Sequence, residues 1–123
     1  MIHLDTNFLI QALVPGSPAE SKLHAWLVAG EDLGISAIAW SEFLCGPLTP
    51  QDEALAQTLL TTPEPFLATD ARQAAELFNT TGRRSRSLAD CQIAAVALRR
   101  AASVATGNLT DFAPFQSHGL TLA

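Results

Sequence analysis

Four carboxylates in this chain stand where a fold could bring them together. Asp5 follows a short apolar run, Ile2 to Leu4. Glu42 lies about two turns into the segment after Leu33–Ser36, Asp90 opens a long apolar stretch, and Asp111 comes just beyond Ser103–Thr106. Two unit charges ~4 Å apart repel by roughly 4 kcal/mol at an effective dielectric near 20. Several such pairs rival a total stability of about 5–15 kcal/mol. A fold that gathers these acids must bind a cation there or push their pKa values upward. Hard oxygen ligands suit Mg²⁺ or Mn²⁺. A cation so held lowers the pKa of bound water and offsets charge building on a phosphate, so the reaction class is attack of water on a phosphodiester. His3, His24 and His118 are scattered without metal-ligand spacing and read as structural or solvated.

Each acid also has an ordinary reading. Asp5 and Asp111 suit helix caps, and Ser87-Leu88-Ala89-Asp90 is a capping box on paper. Glu42 could be a solvated helix residue. Against this, four independent caps need not share an edge, and Ser41-Glu42-Phe43 is no cap. Thr6, Asn7, Thr106 and Asn108 flank the acids. Their hydroxyls and amides could orient carboxylates or a metal-bound water, or serve only turn and cap chemistry. Arg83, Arg84 and Arg86 lead into Asp90 and could clamp a substrate backbone; an ordinary solvated loop is the alternative.

The elements that must position these residues alternate. Strands are expected at Ile2–Leu4, Leu33–Ser36, Pro65–Ala68, Ser103–Thr106 and Leu120–Leu122. Between them the pattern predicts helices over Phe8–Val14, from Pro18 (capped by Ser17), over Ala37–Cys45, from Thr49-Pro50, from Thr69 or Asp70, and from Leu88 (capped by Ser87) to about Ala101. The middle of the last is apolar nearly all round and should be central. Alternation of this kind implies one α/β domain over residues 1–123, with a central parallel sheet and helices on both faces. In open parallel sheets, sites form at the carboxyl ends of strands. Asp5, Asp90 and Asp111 fall at strand ends or helix starts on one edge, and Glu42 reaches it because helical side chains point toward the helix N-terminus. The stripe Leu55, Leu59 and Leu60, with Phe66, is core or a docking surface for a partner helix.

Composition narrows the class. Hydrophobic residues make up 48% of the 123 and charged ones 15%, a globular balance with no disorder signature. The net charge of −5, with seven Lys and Arg in all, argues against broad duplex binding. Two cysteines, Cys45 and Cys91, are too few for a disulfide framework and read as small buried thiols in a reducing compartment. No targeting segment or membrane span is read from the sequence, so a cytoplasmic location away from membranes is expected.

Four motifs carry a family likeness: Ile2-His3-Leu4-Asp5-Thr6-Asn7, Ser36-Ala37-Ile38-Ala39-Trp40-Ser41-Glu42, Leu88-Ala89-Asp90-Cys91-Gln92-Ile93-Ala94-Ala95, and Ala105-Thr106-Gly107-Asn108-Leu109-Thr110-Asp111-Phe112. In this order, over nearly the whole chain, they resemble the PIN domain family, and most closely its VapC toxins. The resemblance implies a PIN fold and a Mg²⁺- or Mn²⁺-dependent endoribonuclease. It maps the family's acids onto Asp5, Glu42, Asp90 and Asp111, and its polar helper onto Thr106. Asp5, Asp90 and Asp111 are then the expected metal ligands. It also implies a homodimer, a cognate VapB antitoxin, and a structured RNA target, often transfer RNA. Some PIN proteins carry a further acid near position 108; Asn108 stands there in this chain, which favours one metal over two.

Other acid-based folds fit poorly. A receiver domain wants a lysine near the last strands, but the single lysine is Lys22. A haloacid-dehalogenase-type phosphatase wants Asp-x-Asp after the first strand, where Asn7 takes the second place. The serious alternative is a non-catalytic PIN module that binds RNA or a partner protein.

Overall fold

Ile2, His3 and Leu4 are all buried, as a strand covered on both faces must be. This strand, β1 (Ile2–Leu4), is central in the computed structural model, which describes all 123 residues. It pairs in parallel with β2 (Leu33–Gly34) and β3 (Ser103–Ala105), and β3 pairs in parallel with β4 (Thr121–Leu122), giving the order β2-β1-β3-β4. Register is pinned at two points. Gly34 lies opposite His3, and a Cβ at Gly34 would come within 2.9 Å of the His3 ring. At the other end, Leu4 lies opposite Ala105 and the Asp5 N–H donates to the Ala105 carbonyl at 2.9 Å. Asp5 and Thr106 therefore leave the sheet side by side.

Parallel strands need crossovers, and helices supply them. Between β1 and β2 run α1 (Thr6–Ala12) and α2 (Pro18–Val28). Between β2 and β3 run α3 (Ala37–Cys45), α4 (Pro50–Leu59), α5 (Ala68–Thr80) and α6 (Leu88–Arg99). The short α7 (Leu109–Phe112) precedes β4. The starts of α2, α3 and α4 follow local sequence: Ser17, Ser36 and Thr49 each accept a backbone N–H three residues on, at 3.0–3.1 Å. As its composition demands, α6 runs through the core, burying Cys91 and Ile93 to Ala97. Leu4, Leu9, Ile35, Leu77 and Val104 pack in the same core, with Phe112 and Phe115 edge-to-face at 5.8 Å.

Several expectations need correction. Pro65–Ala68 is no strand. Only Glu64 bridges to Ser36, because the partner segment turns into α3 at Ala37 and leaves residues 65–68 no strand to pair with. Neither Thr69 nor Asp70 is the N-cap of α5: Leu67 is, and the Asp70 carboxylate accepts its N–H at 2.9 Å. Ser87 stands at the N-cap position of α6, but its side chain makes no capping bond. It closes a 3₁₀ turn, Ser85–Ser87, has helical dihedrals, and donates its hydroxyl to the Arg84 carbonyl at 2.8 Å. The first helix begins at Thr6 rather than Phe8, because Asp5 caps it. Cys91 is buried as expected, but Cys45 is exposed at the end of α3. Of the Leu55 stripe, Leu60 is core, Leu59 and Phe66 pack partly against it, and Leu55 is exposed.

Candidate active site

Asp5 is both a cap and a cluster member, so its two readings are compatible. Its backbone is extended, Oδ1 accepts the Thr6 N–H at 2.8 Å, and Oδ2 accepts the Thr106 hydroxyl at 2.9 Å. Thr106 in turn accepts the Asn108 N–H at 2.9 Å, which folds the chain toward α7 and Asp111. Burial raises the Asp5 pKa. The hydrogen bonds from Thr106 and Thr6 oppose this, and the charges of Glu42 and Asp111 add to it.

Thr6 joins α1 to α3. Its hydroxyl lies 3.2 Å from the Ala39 carbonyl and 3.0 Å from Glu42 Oε1, so it orients the one acid whose own backbone lies a turn away from the edge. Asp90, in the first turn of α6, is partly buried, and its pKa is pushed up to about 7. Burial is the largest cause, followed by the charges of Asp5, Asp111 and Glu42; Arg84 partly offsets them. Asp90 therefore lies in the field of the other three acids, and Asp5 in that of Glu42 and Asp111.

A cavity of about 560 Å³ opens on Asp90 and Asp111. Arg84, Ser85, Arg86 and Ser87 form the rest of its lining, and no apolar residue does. Of the expected substrate-binding arginines, two line this cavity. Arg83 does not; it takes a positive φ of 55°, and its N–H closes onto the Phe78 carbonyl at 3.0 Å. Asn7 and Asn108 are exposed at the edge, and their side chains bond to no protein group. Ser85, Ser87 and the Ala39 carbonyl were not legible from sequence, since loop and helix geometry alone bring them in.

The donor set fits a hard divalent cation: carboxylate oxygens without competing thiols or imidazoles, in mutual repulsion that a cation would relieve. As placed, no three of these side chains are close enough to hold an ion, so binding requires them to rotate inward.

A family profile for the PIN domain matches residues 2–113. The chain belongs to the PIN domain family. Among curated proteins, no sequence matches this PIN domain. Solved structures do. A toxin–antitoxin complex from Klebsiella pneumoniae is 26% identical with a TM-score of 0.73, over 92% of this chain and 91% of that one. VapBC2 from Rickettsia felis, bound to a DNA fragment from its promoter, is 20% identical with a TM-score of 0.75, over 100% and 98%. VapC20 of Mycobacterium tuberculosis, a sarcin–ricin loop cleaving toxin, is 16% identical with a TM-score of 0.70, over 100% and 98%. The last two likenesses concern the fold. No helix of this PIN domain is long and apolar enough to cross a membrane.

Proposed function

We propose that this PIN domain is the toxin of a VapBC-type toxin–antitoxin pair and acts as a metal-dependent endoribonuclease. One observation carries the reading: Asp90 lies in the field of Asp5, Glu42 and Asp111, acids drawn from different elements, and with Asp111 it lines a polar cavity that Arg84 and Arg86 also line. Asp5, Asp90 and Asp111 are the residues to hold Mg²⁺ or Mn²⁺. When bound, the ion supplies a water of lowered pKa and neutralises charge developing on the phosphate. Thr106 holds Asp5 in one rotamer, and Thr6 does the same for Glu42. Glu42 is then placed to accept a proton from the attacking water. Arg84 and Arg86 grip the phosphates of the strand entering the cavity. The solved Klebsiella relative is a complex with its antitoxin, which supports a cognate VapB-type partner here. Transfer RNA as substrate, a homodimer and a cytoplasmic location follow from the same reading.

A second reading, a PIN module that binds RNA without cutting it, draws on the lack of a closed three-acid cluster. One experiment separates the two. Purified protein is given total transfer RNA and a generic single-stranded RNA with Mg²⁺, with Mn²⁺ and with chelator, beside Asp5→Asn. Metal-dependent cleavage lost in Asp5→Asn supports the enzyme. Absence of both cleavage and Mn²⁺ binding refutes it.

A further inference from the structure

A second cleft meets the acid cluster at Thr106. Its volume is about 290 Å³, and it shares no lining residue with the cavity beside Arg84. Phe8, Gln11 and Lys22 line it together with Thr106 and Gly107. We propose that this cleft holds one nucleotide of single-stranded RNA adjacent to the scissile phosphate, with Lys22 on a phosphate and Gln11 facing the base. The inference rests on the nuclease reading above and adds where the substrate strand continues past the acids.

Placement is the first argument. The Thr106 hydroxyl that forms part of the cleft wall is the one bonded to Asp5 Oδ2 at 2.9 Å. A ligand here lies next to the carboxylates, within one nucleotide's reach of a phosphate between them.

Charge is the second. Arg99 and Arg100 are engaged with Glu64 and Asp70. The chain has seven cationic side chains, which leaves five others. Lys22, Arg84 and Arg86 line the two cavities that flank the acids, Arg83 adjoins Arg84, and only Arg72 lies elsewhere, on α5. A polyanion crossing four acids needs cations on both flanks, and these supply them.

Shape is the third. The cleft lies at the small end of the ~300–1,000 Å³ usual for ligand pockets, which suits one nucleotide and excludes a duplex. Its wall includes Phe8, itself packed on Trp26 at 5.5 Å, so that wall is rigid. Gly107 lines the cleft, and a Cβ there would meet nothing within 4 Å, so a larger side chain can be introduced at this wall without a clash. Gln11 and Lys22 are exposed, and neither side chain is engaged by another protein group. Most of the surface facing the cleft is carbon, with Gln11 and Lys22 among its polar side chains, which suits the flat face of a base with a phosphate beside it.

The test uses the full chain and a pool of random 12-nucleotide single-stranded RNAs carrying 4-thiouridine. Photocrosslinking is done with Ca²⁺, and cleavage of the unlabelled pool is followed with Mn²⁺. Crosslinks are expected in the Phe8–Lys22 peptide. Lys22→Glu and Gly107→Leu, both at exposed positions, are expected to raise KM about five- to tenfold with kcat within about twofold, as loss of a phosphate or pocket contact should. Lys22→Arg should restore KM. Lys22→Ala should flatten the log–log salt dependence by about 0.7, the value of one single-strand phosphate contact. Mn²⁺ affinity by calorimetry should not change. Crosslinks confined to residues 84–87, with KM unaltered in both variants while RNA is still cut, would overturn the cleft and leave the nuclease reading standing. If wild type neither crosslinks nor cuts the pool and binds no Mn²⁺, the nuclease reading fails and the cleft falls with it.

Discussion

Asp90→Asn should abolish cleavage and yet make the metal-free protein more stable. The magnitude follows from the Asp90 pKa, raised from 3.8 to about 7 by burial and by three neighbouring carboxylates. At 1.36 kcal/mol per unit, a fully buried group would cost the fold about 4 kcal/mol. Asp90 is only partly buried, so solvent screening reduces this to roughly 1–2 kcal/mol. The native state binds the Asp90 proton more tightly than the unfolded chain does, so stability falls as pH rises from about 4 to about 7 and is level above that. Removing the charge should therefore raise Tm with chelator present by roughly 3–8 °C at pH 8, and hardly at all at pH 4. The assay is thermal unfolding of both proteins across that range. Saturating Mn²⁺ should reverse the order, because an ion at 100 times its Kd adds about 2.7 kcal/mol to wild type. If Asp90→Asn is no more stable than wild type at pH 8 without metal, the carboxylates are not in conflict and the argument for a cation site loses its physical basis.

Three further outcomes are expected. Thr106→Val leaves Asp5 Oδ2 without its hydroxyl donor and should weaken Mn²⁺ binding about 10–100-fold by calorimetry, with Thr106→Ser close to wild type. Gly34→Ala drives a methyl to 2.9 Å from the His3 ring and should cost roughly 1–3 kcal/mol in urea unfolding, with His3→Ala in the same chain recovering part of the loss. His3 itself is buried with Nδ1 unpaired, and burial lowers its pKa from 6.5 to about 4. The unfolded state then binds the extra proton, so His3 should destabilise the fold as pH falls from 6.5 toward 4, and His3→Phe should flatten that limb of the stability profile.

The site was legible in sequence to the extent that its logic is local. Three of the four acids stand where a strand ends or a helix begins, and the two threonines follow closely on β1 and β3, although the acids that their hydroxyls bond, Glu42 and Asp5, are 36 and 101 residues away. Two things were not local. The bond from Thr6 to Glu42 spans 36 residues and exists only because α1 and α3 pack together. The arginine segment divides according to backbone conformation: the positive φ at Arg83 and the 3₁₀ turn after Arg84 send two of three guanidiniums into the cavity. The errors in the fold have the same origin. Pro65-Phe66-Leu67-Ala68 is apolar enough for a strand, but strand status depends on a ladder partner, and the segment opposite has already become α3 at Ala37. Ser87-Leu88-Ala89-Asp90 has the letters of a capping box, but the preceding turn already feeds the helix.

How the molecule treats its other close-set acids bears on the proposed cation site. Glu64 and Asp70 are also near one another, and Asp70 is almost fully buried. There the chain supplies guanidinium: Arg99 bonds Asp70 and Glu64 at 2.9 Å, and Arg100 stands 3.8 Å from Glu64. That is how a fold stabilises acids it uses for structure, by pairing them. At Asp5 and Glu42 the same chain supplies hydroxyls and a backbone N–H, which fix orientation but cancel no charge; at Asp90, Arg84 offsets the neighbouring acids only in part. With twelve acidic and seven basic side chains, counter-charge is scarce, and it is spent on the pair that needs no further ligand. Thr6 and Thr106 hold their acids in place while leaving the charge to be met by something that arrives from solution. A cation is the smallest such partner, and an RNA phosphate approaching past Arg84 and Lys22 would then meet positive charge at every step.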